Sequence, residues 1–581
     1  MTRVLVLLAS LWAAGCTETI QLGGGQLSGL VSLELHPPAA VATVTDLNAG
    51  PVVIKFQALG RFVDGTRRDV THLVEWSVDN PAPGAVVAGT YLTSNAAGGH
   101  AIVRARALAG ESALEADADM HVVISLDLVD GVFPPPIGSE DLFSPDAAVE
   151  VGGARAPTLL YPAAGTLFPQ DLSRIVFQHA PSVETDAYRL RLVSESLYIS
   201  VLSGGTRWQP DGAVWSLIAA THAGSEVGLL VEAASSSQPG TIYSAPQATL
   251  HFARGGGGGV IYHWSAGNNS IMRSTLSSES ATRLYPLDPD ATCVGCHSVS
   301  RDGKQMALGY AGENLRTIDL EFQTPLLASP PMPVRPMGWS TFSPDGKLIV
   351  VADKGTLTLR DTLTGNTVGP NFGRLPIPIA LKATHPDWSP DGSYLAMTLT
   401  ADVANMSVGS GAIARIPYNA TTGTWGTHEV LVGGSLTNNN YFPKYSPDNR
   451  FIAFVHASGP SQGAPSAELR MIRADGGPQI TLNTASHRLG AIDGVPDLAN
   501  TMPSWAPDID EELAWLAFAS ARPYGEIIPV RGTAQIWITG VDLSRAEIGI
   551  DPSYAAFWLT SQDVRVVNNN PIWAPLVQPT K

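Results

Sequence analysis

Cysteine is almost absent from this chain: three residues in 581. Such a composition excludes a scaffold built on disulfides. Positive charge is also scarce, because 35 Lys and Arg residues stand against 52 Asp and Glu residues and give a formal net charge of −17. Nucleic-acid binding needs a clustered basic surface, so this balance argues against nucleic acid as a partner.

Several sequence patterns of known enzymes are also missing. The chain contains no Gly-rich phosphate loop, no Gly-x-Ser-x-Gly elbow and no His-Glu-x-x-His zinc helix. Beyond the first 16 residues, no apolar segment is long enough to cross a membrane. By contrast, glycine (57) and proline (44) are abundant, while charged residues make up only 15%. This composition is typical of many short strands joined by tight turns, and the length suggests three to four domains.

The first 15 residues have the features of a secretory signal, since Arg3 is their only charge and a short apolar stretch follows it. The sequence Ala-Ala-Gly-Cys that ends at Cys16 resembles the cleavage box of bacterial lipoproteins. That resemblance implies cleavage before Cys16, lipidation of Cys16 and a flexible tether over residues 16–29. Because Thr17 stands where Asp commonly signals inner-membrane retention in that family, the outer membrane is the expected location. The protein would then face the periplasm or the cell surface.

Two β-rich segments follow the tether. Residues 30–125 alternate apolar and polar positions, and the stretches 62–71 and 74–77 resemble bacterial group 2 immunoglobulin-like domains. Such domains are usually spacers or adhesion modules. Residues 126–156 are rich in proline and acidic residues, which predicts a linker.

Residues 157–254 predict a second β-sandwich, which resembles a fibronectin type III module. We expect Trp208 and Trp215 to be core residues of this module rather than a sugar-binding platform. A run of glycines, 255–259, then joins it to the last region.

A repeat fills residues 258–581. An aromatic residue, then Ser-Pro-Asp-Gly or a close variant, then an aliphatic run occurs around Asp345, Asp391, Asp448 and Asp508. Each copy predicts a strand, a tight turn and a return strand. The aspartates are 46, 57 and 60 residues apart, enough for a four-stranded blade.

These repeats resemble those of TolB-like β-propellers, in which the aromatic residue lies on the innermost strand of each blade. A degenerate copy surrounds Asp302, and a truncated copy at Trp573 lacks strands that residues 260–285 can supply. We therefore predict an all-β protein: two immunoglobulin-like or fibronectin-like β-sandwiches followed by a six-bladed TolB-like propeller. The last blade would be closed by both ends of the repeat region.

Two of the three cysteines fall in one pentapeptide, Cys293-Val-Gly-Cys296-His297. Cys-x-x-Cys-His is the attachment signature of c-type haem. Cys293 and Cys296 would form thioethers to the porphyrin, and His297 would be the proximal iron ligand. A structural zinc site would need four ligands, which histidines elsewhere would have to complete. A thioredoxin-like dithiol would need a βαβ context, which the flanking sequence does not resemble.

The repeat alignment gives this motif a position in the fold. Cys296 aligns with His385, so the motif is predicted on the innermost strand of the first blade or in the loop entering it. The equivalent positions in the other blades would project near the same axis. Two of those residues, His385 and Met502, have side chains that bind haem iron, and either one opposite His297 would set the redox potential. Simple packing of both against the channel wall, or an open sixth site, are the alternatives. The equivalent residues are Trp339, His385, Phe442, Met502 and Asn570.

The function predicted from these observations is one-electron transfer by haem c at the cell envelope. The sequence does not identify the redox partner or the envelope protein it would meet. Two other hypotheses remain open. The first is a protein-binding or adhesion scaffold whose haem is structural or sensory. The second is a haem enzyme with an open distal site.

Overall fold

The computed structural model describes most of the chain from residue 27 onward, and it divides the chain into two units, 1–124 and 125–581. Cys16, the leader and Cys293 lie outside the described residues. In the part of the chain that the structure describes, no helix is both long and apolar enough to cross a membrane. The described residues are 27–109, 112–284, 294–310, 314–327, 337–401, 403–404, 407–461, 463–486, 498–529 and 532–578.

The first unit is built of β-strands, as the alternating pattern predicts, and most of them pair antiparallel, whereas Ala39–Val44 pairs in parallel with residues 119–124. Its core contains Tyr91, Val103 and Met120, which are fully buried. The indole of Trp76 donates a hydrogen bond to the Thr71 carbonyl at 2.9 Å. The strands are Leu30–His36, Ala39–Val44, Val53–Lys55, Gln57–Phe62, Arg67–Asp69, Glu75–Val78, Gly84–Val87, Thr90–Thr93, Gly99–Ala109 and Ser112–Val129.

The second domain contains strands and a ten-residue helix that the sequence analysis did not predict. This helix, Gly212–Thr221, begins at Asp211, whose carboxylate accepts a hydrogen bond from the Val214 amide at 2.8 Å. Trp208 and Trp215 are buried, which confirms that they are core residues. The strands are Ala148–Val151, Thr158–Tyr161, Leu167–Phe168, Phe177–Ala180, Ala187–Val193, Leu197–Ser203, Arg207–Trp208, Glu226–Ala234, Thr241–Ser244 and Ala248–Phe252.

Part of the segment predicted as a linker belongs to this second domain. After a short helix, Ser139–Leu142, the buried Phe143 packs in a cluster with Ala187 and Ile242. Ala148–Val151 then pairs in parallel with Thr241–Ser244. The strand was missed because its side chains are exposed, so that backbone hydrogen bonds rather than an apolar face hold it in place.

Residues 260–574 form a β-propeller, with six blade sheets among the described residues. Blade one contains Val294–Val299, Gln305–Tyr310, Asn314–Asp319 and Thr324–Leu327, and blade two Ser340–Phe342, Leu348–Asp353 and Thr356–Asp361. Blade three contains Lys382–Trp388, Tyr394–Thr400, Ala412–Asn419, Thr424–Trp425 and Glu429–Val432. Between its second and third strands, Val403–Ala404 and Ser407–Val408 pair as a short hairpin. Blade four contains Asn439–Tyr445, Phe451–Ala457, Glu468–Arg473 and Ile480–Thr481, and blade five Thr501–Asp510, Leu513–Ser520, Gln535–Asp542 and Phe557–Trp558. Short helices are Asn483–Ser486, Leu543–Glu547 and the 3-10 turn Asn371–Gly373.

Blade six is made from both ends of the repeat region. Its innermost strand, Asn568–Ala574, pairs antiparallel with Val260–Ser265, and Ser270–Ser274 and Thr282–Arg283 complete the sheet. The predicted all-β fold with a six-bladed propeller is thereby confirmed. The closure also brings residues near 570 beside blade one, where Asn570 contacts His297.

The second domain packs directly on blade five. Phe168 contacts Phe557 with ring centroids 5.6 Å apart, and the Trp558 amide donates to the Tyr161 hydroxyl at 3.1 Å. The glycine run at 255–259 is held in place, because the amides of Gly257 and Gly258 donate to the Asp171 carboxylate. The junction between the second domain and the propeller is therefore fixed by hydrogen bonds.

Candidate functional site

The repeat turn fixes one end of the innermost strand in blades one to four. In blade three the Ser389 hydroxyl donates to the Asp391 carboxylate at 2.6 Å and accepts from the Tyr394 amide at 2.9 Å. Gly392 takes the left-handed conformation, with φ +77°, that completes the turn. The same serine–aspartate hydrogen bond forms around Asp302, Asp345 and Asp448. Because these turns are equivalent, residues at a constant distance before them occupy equivalent places around the channel.

A β-bulge interrupts the innermost strand a few residues before the turn, in five blades. The residue in the bulge takes a positive φ between 48° and 54°, which costs a non-glycine residue about 1–2 kcal/mol. Each of these residues coincides with a shift in strand register. They are five of the six positions aligned from the sequence: Cys296, His385, Phe442, Met502 and Asn570. Trp339, the aligned residue of blade two, does not take this conformation, and the strand pairing of that blade is regular.

The residue after the bulge distinguishes blade one. It is proline in blades three to six, whereas blade one has His297 there. His297 therefore takes the place of a proline ring, and its side chain is itself buried. The motif histidine is an interior group of the propeller and does not lie on an exposed loop. The four prolines are Pro386, Pro443, Pro503 and Pro571.

His297 is held on one side and unpartnered on the other. Its Nδ1 atom lies 3.2 Å from Nδ2 of Asn570, in blade six. Its Nε2 atom is buried with no hydrogen-bond partner among the described residues. Burial lowers the pKa of His297 to about 4, a hydrogen bond with the Tyr262 backbone acts in the opposite direction, and the charge of Lys444 lowers the pKa further. The imidazole is thus neutral at physiological pH, which is the form that binds a metal.

His385 lies in an aromatic group on the channel wall. Its ring centroid is 3.8 Å from that of Phe442 and 5.4 Å from that of Trp339. Nδ1 lies 3.2 Å from the Thr398 hydroxyl, and Nε2 is buried without a partner in the described part of the chain. Burial, with a smaller contribution from Lys444, holds the pKa of His385 well below its usual value. Met502, the other distal candidate, is only partly buried.

The structure adds a histidine that the sequence analysis did not single out. His263 is buried in Val260–Ser265, the strand that pairs with the one carrying Asn570. Its Nδ1 atom has no partner within the described ranges. Burial lowers the pKa of His263 to about 3, and the neighbouring His297 lowers it further. The sequence around His263 does not indicate a functional residue. His263 reaches the site only because Val260–Ser265 pairs with Asn568–Ala574.

The channel continues beyond the bulges as a cavity of about 290 Å³. Lys444 and Asp387 form an ion pair across it at 3.0 Å, and the Asp387 carboxylate also accepts from the Tyr445 amide at 2.8 Å. Arg301 lines the same cavity and donates to the Trp388 carbonyl at 3.1 Å. The polar half of the channel is therefore next to the turns, and the histidine layer lies at the level of the bulges.

The donor set fits a haem group. Cys296 and His297 lie together on the innermost strand of blade one, and His297 presents a neutral imidazole with an unpartnered Nε2. Trp339 and Phe442, with ring centroids 4.9 Å apart, add an aromatic surface beside His385, and such a surface suits the apolar surroundings of haem. No cluster of three or more His, Cys, Asp or Glu side chains placed to hold a bare metal ion occurs among the residues that the structure describes.

Fold and site together define a class: an all-β protein whose C-terminal half is a six-bladed propeller with a histidine layer in its channel. No family model and no curated protein matches the chain. Solved structures with low similarity include a TolB from Agrobacterium tumefaciens, with 15% identity over 55% of this chain and 98% of that chain and a TM-score of 0.30. An oligogalacturonate lyase in complex with manganese has 18% identity over 52% of this chain and 74% of that chain, with a TM-score of 0.31. Dihydro-heme d1 dehydrogenase NirN in complex with DHE has 13% identity over 52% of this chain and 54% of that chain, with a TM-score of 0.31. Matches this weak carry no argument about function.

Proposed function

We propose that the protein binds covalent haem c in the channel of its propeller and transfers single electrons at the cell envelope. The observation that supports this most directly is His297, which follows Cys296 and is buried with an unpartnered Nε2 atom. Buried polar atoms are normally satisfied, so an unsatisfied imidazole nitrogen in a haem signature is a candidate iron ligand.

Each residue would have a defined task. Cys293 and Cys296 would anchor the porphyrin, and His297 would bind the iron on the proximal side. When bound, haem iron supplies one-electron chemistry by alternating between ferric and ferrous states. The protein's contribution is an apolar wall, which excludes water and helps to set the potential.

His385 is our proposed distal ligand. Its Nε2 atom is buried without a partner in the described residues, and its ring is held by Thr398, Trp339 and Phe442. The side chain of Met502, by contrast, is partly exposed. Two neutral imidazoles on the iron would give a lower potential than a His–Met pair.

The leader supports a place at the envelope. Cleavage before Cys16 and lipidation of Cys16 would tether the protein to a membrane, with the outer membrane the proposed location. A net charge of −17 is compatible with a soluble body beyond the anchor. Covalent haem attachment in bacteria takes place on the periplasmic side, so the two motifs support each other.

Covalent haem is tested by peroxidase staining after denaturing electrophoresis of protein made with the cytochrome c maturation machinery. The unmodified protein should keep a stained band, and the double variant Cys293→Ala, Cys296→Ala should lose it. His297→Ala should abolish the normal ligation of the iron and change the absorption spectrum. His428→Ala, at a partly exposed histidine of the same propeller, is its matched control and should leave the spectrum unchanged. An unmodified protein that shows no stained band would refute the proposal, and a five-coordinate high-spin spectrum would favour a haem enzyme or sensor instead.

A further inference from the structure

Asn570 contacts the motif histidine from the bulge of another blade. It lies 273 residues away from His297 in sequence, and the two meet because the last strand closes the propeller beside blade one. Asn570 is buried and takes the left-handed bulge conformation, with φ 50°. The strained backbone and the burial fix where its amide group lies relative to the imidazole.

The orientation of that amide, together with the hydrogen bond to the Tyr262 backbone, bears on which imidazole nitrogen carries the proton. With its nitrogen toward His297 Nδ1, Asn570 donates, and the proton must sit on Nε2. With its oxygen toward Nδ1, Asn570 accepts from Nδ1–H, and the Nε2 lone pair is available to iron. The two orientations differ only by rotation of the amide, whose oxygen and nitrogen are nearly the same size.

We propose that Asn570 is a positioning residue that accepts a hydrogen bond from His297 Nδ1–H through its amide oxygen and so presents Nε2 to haem iron. This inference rests on the proposed haem function. Groups that accept from the far nitrogen of a ligating histidine fix its tautomer and ring orientation and raise its basicity. Blade six would therefore control the iron ligand that blade one supplies.

Two substitutions at this position have opposite expected effects. Asn570→Asp keeps an acceptor and adds negative charge, so the midpoint potential should fall while the spectrum stays low-spin. Asn570→Leu removes the acceptor, so the potential should rise and part of the iron should become high-spin. The matched control is Asn569→Asp, which adds the same charge one residue away. Asn569 pairs with Trp264 in the strand ladder.

Spectroelectrochemical titration of the three haem-loaded variants measures these shifts, and circular dichroism confirms that each is folded. The inference is supported if the potential of the Asn570→Asp variant lies below that of the unmodified protein and the potential of the Asn570→Leu variant lies above it, with the Asn569→Asp control close to the unmodified value. If all the proteins carry haem but share one potential, the inference fails and the haem function stands. If the unmodified protein carries no covalent haem, both fail.

Discussion

Single residues carry the strongest functional signal where a buried polar atom has no partner. His297 Nε2, His385 Nε2 and Trp339 Nε1 are all such atoms within the described ranges. The two histidines lie at the bulges, and the Trp339 ring packs against His385. Leaving a buried polar group unsatisfied costs about 1–3 kcal/mol. Because these atoms gather in one layer, we interpret the layer as a place for a ligand.

The choice of distal ligand can be tested at this scale. His385→Ala should convert much of the iron to the high-spin form and raise the midpoint potential, because an imidazole on the iron is lost. Met502→Ala should leave the spectrum unchanged. Absorption and electron paramagnetic resonance spectra of both variants decide the question, and the reverse pattern would assign Met502.

A buried carboxylate in the second domain allows a separate test of stability. Glu232 is 1% exposed and forms ion pairs with Arg189 and Arg191. Glu232→Ala leaves both guanidinium groups without their acid, which should lower the free energy of unfolding by about 3 kcal/mol. Glu226→Ala changes an exposed residue of the same strand and should alter the free energy of unfolding by less than about 0.5 kcal/mol. Urea unfolding measures both.

At the scale of elements, the repeat turn links stability to pH. Burial raises the pKa of Asp391, but hydrogen bonds from Ser389 and Ser393 outweigh it, and the net pKa lies below the ordinary value of 3.8. A carboxyl whose pKa is depressed by folding stabilises the fold fully above that ordinary value, and the contribution is lost as the pH falls through the folded pKa.

Asp391→Asn should therefore destabilise the protein at neutral pH and should reduce its sensitivity to acid. The urea midpoint measured at about pH 7 and about pH 3 should differ less for the variant than for the unmodified protein. Asp475→Asn, at an exposed aspartate, is the control and should leave the difference unchanged. An equal acid sensitivity in both proteins would contradict this account of the turn.

The bulge shows how far an element is predictable. Alignment on the repeat placed Cys296, His385, Phe442, Met502 and Asn570 at equivalent positions, and all five lie in bulges. Trp339, aligned with them, lies in a blade without the bulge. The left-handed conformation was not predicted, since nothing in a residue such as Phe442 favours it. It follows from the register shift that only the paired strand imposes.

For the whole molecule, closure of the propeller is the decisive event. A chain truncated after residue 567 lacks Asn568–Ala574 and leaves Val260–Ser265 without its innermost partner. We expect that chain to unfold at a lower temperature or to aggregate through its exposed edges. A chain truncated after residue 577 keeps the strand and the hydrogen bond from Arg273 to the Val577 carbonyl, and should melt like the full chain. Thermal unfolding and gel filtration compare the two.

The sequence by itself determined the all-β class, the six blades and the level of the haem signature in the channel, because turn chemistry and strand periodicity are local properties. Tertiary structure decided three things that local patterns cannot show. The second domain packs on blade five through Phe168 and Tyr161, which fixes the glycine run that composition alone makes flexible. Ala148–Val151 joins a sheet through its backbone alone. His263 and Asn570 meet His297 only because strands from the two ends of the propeller region close the same blade, a contact that depends on topology.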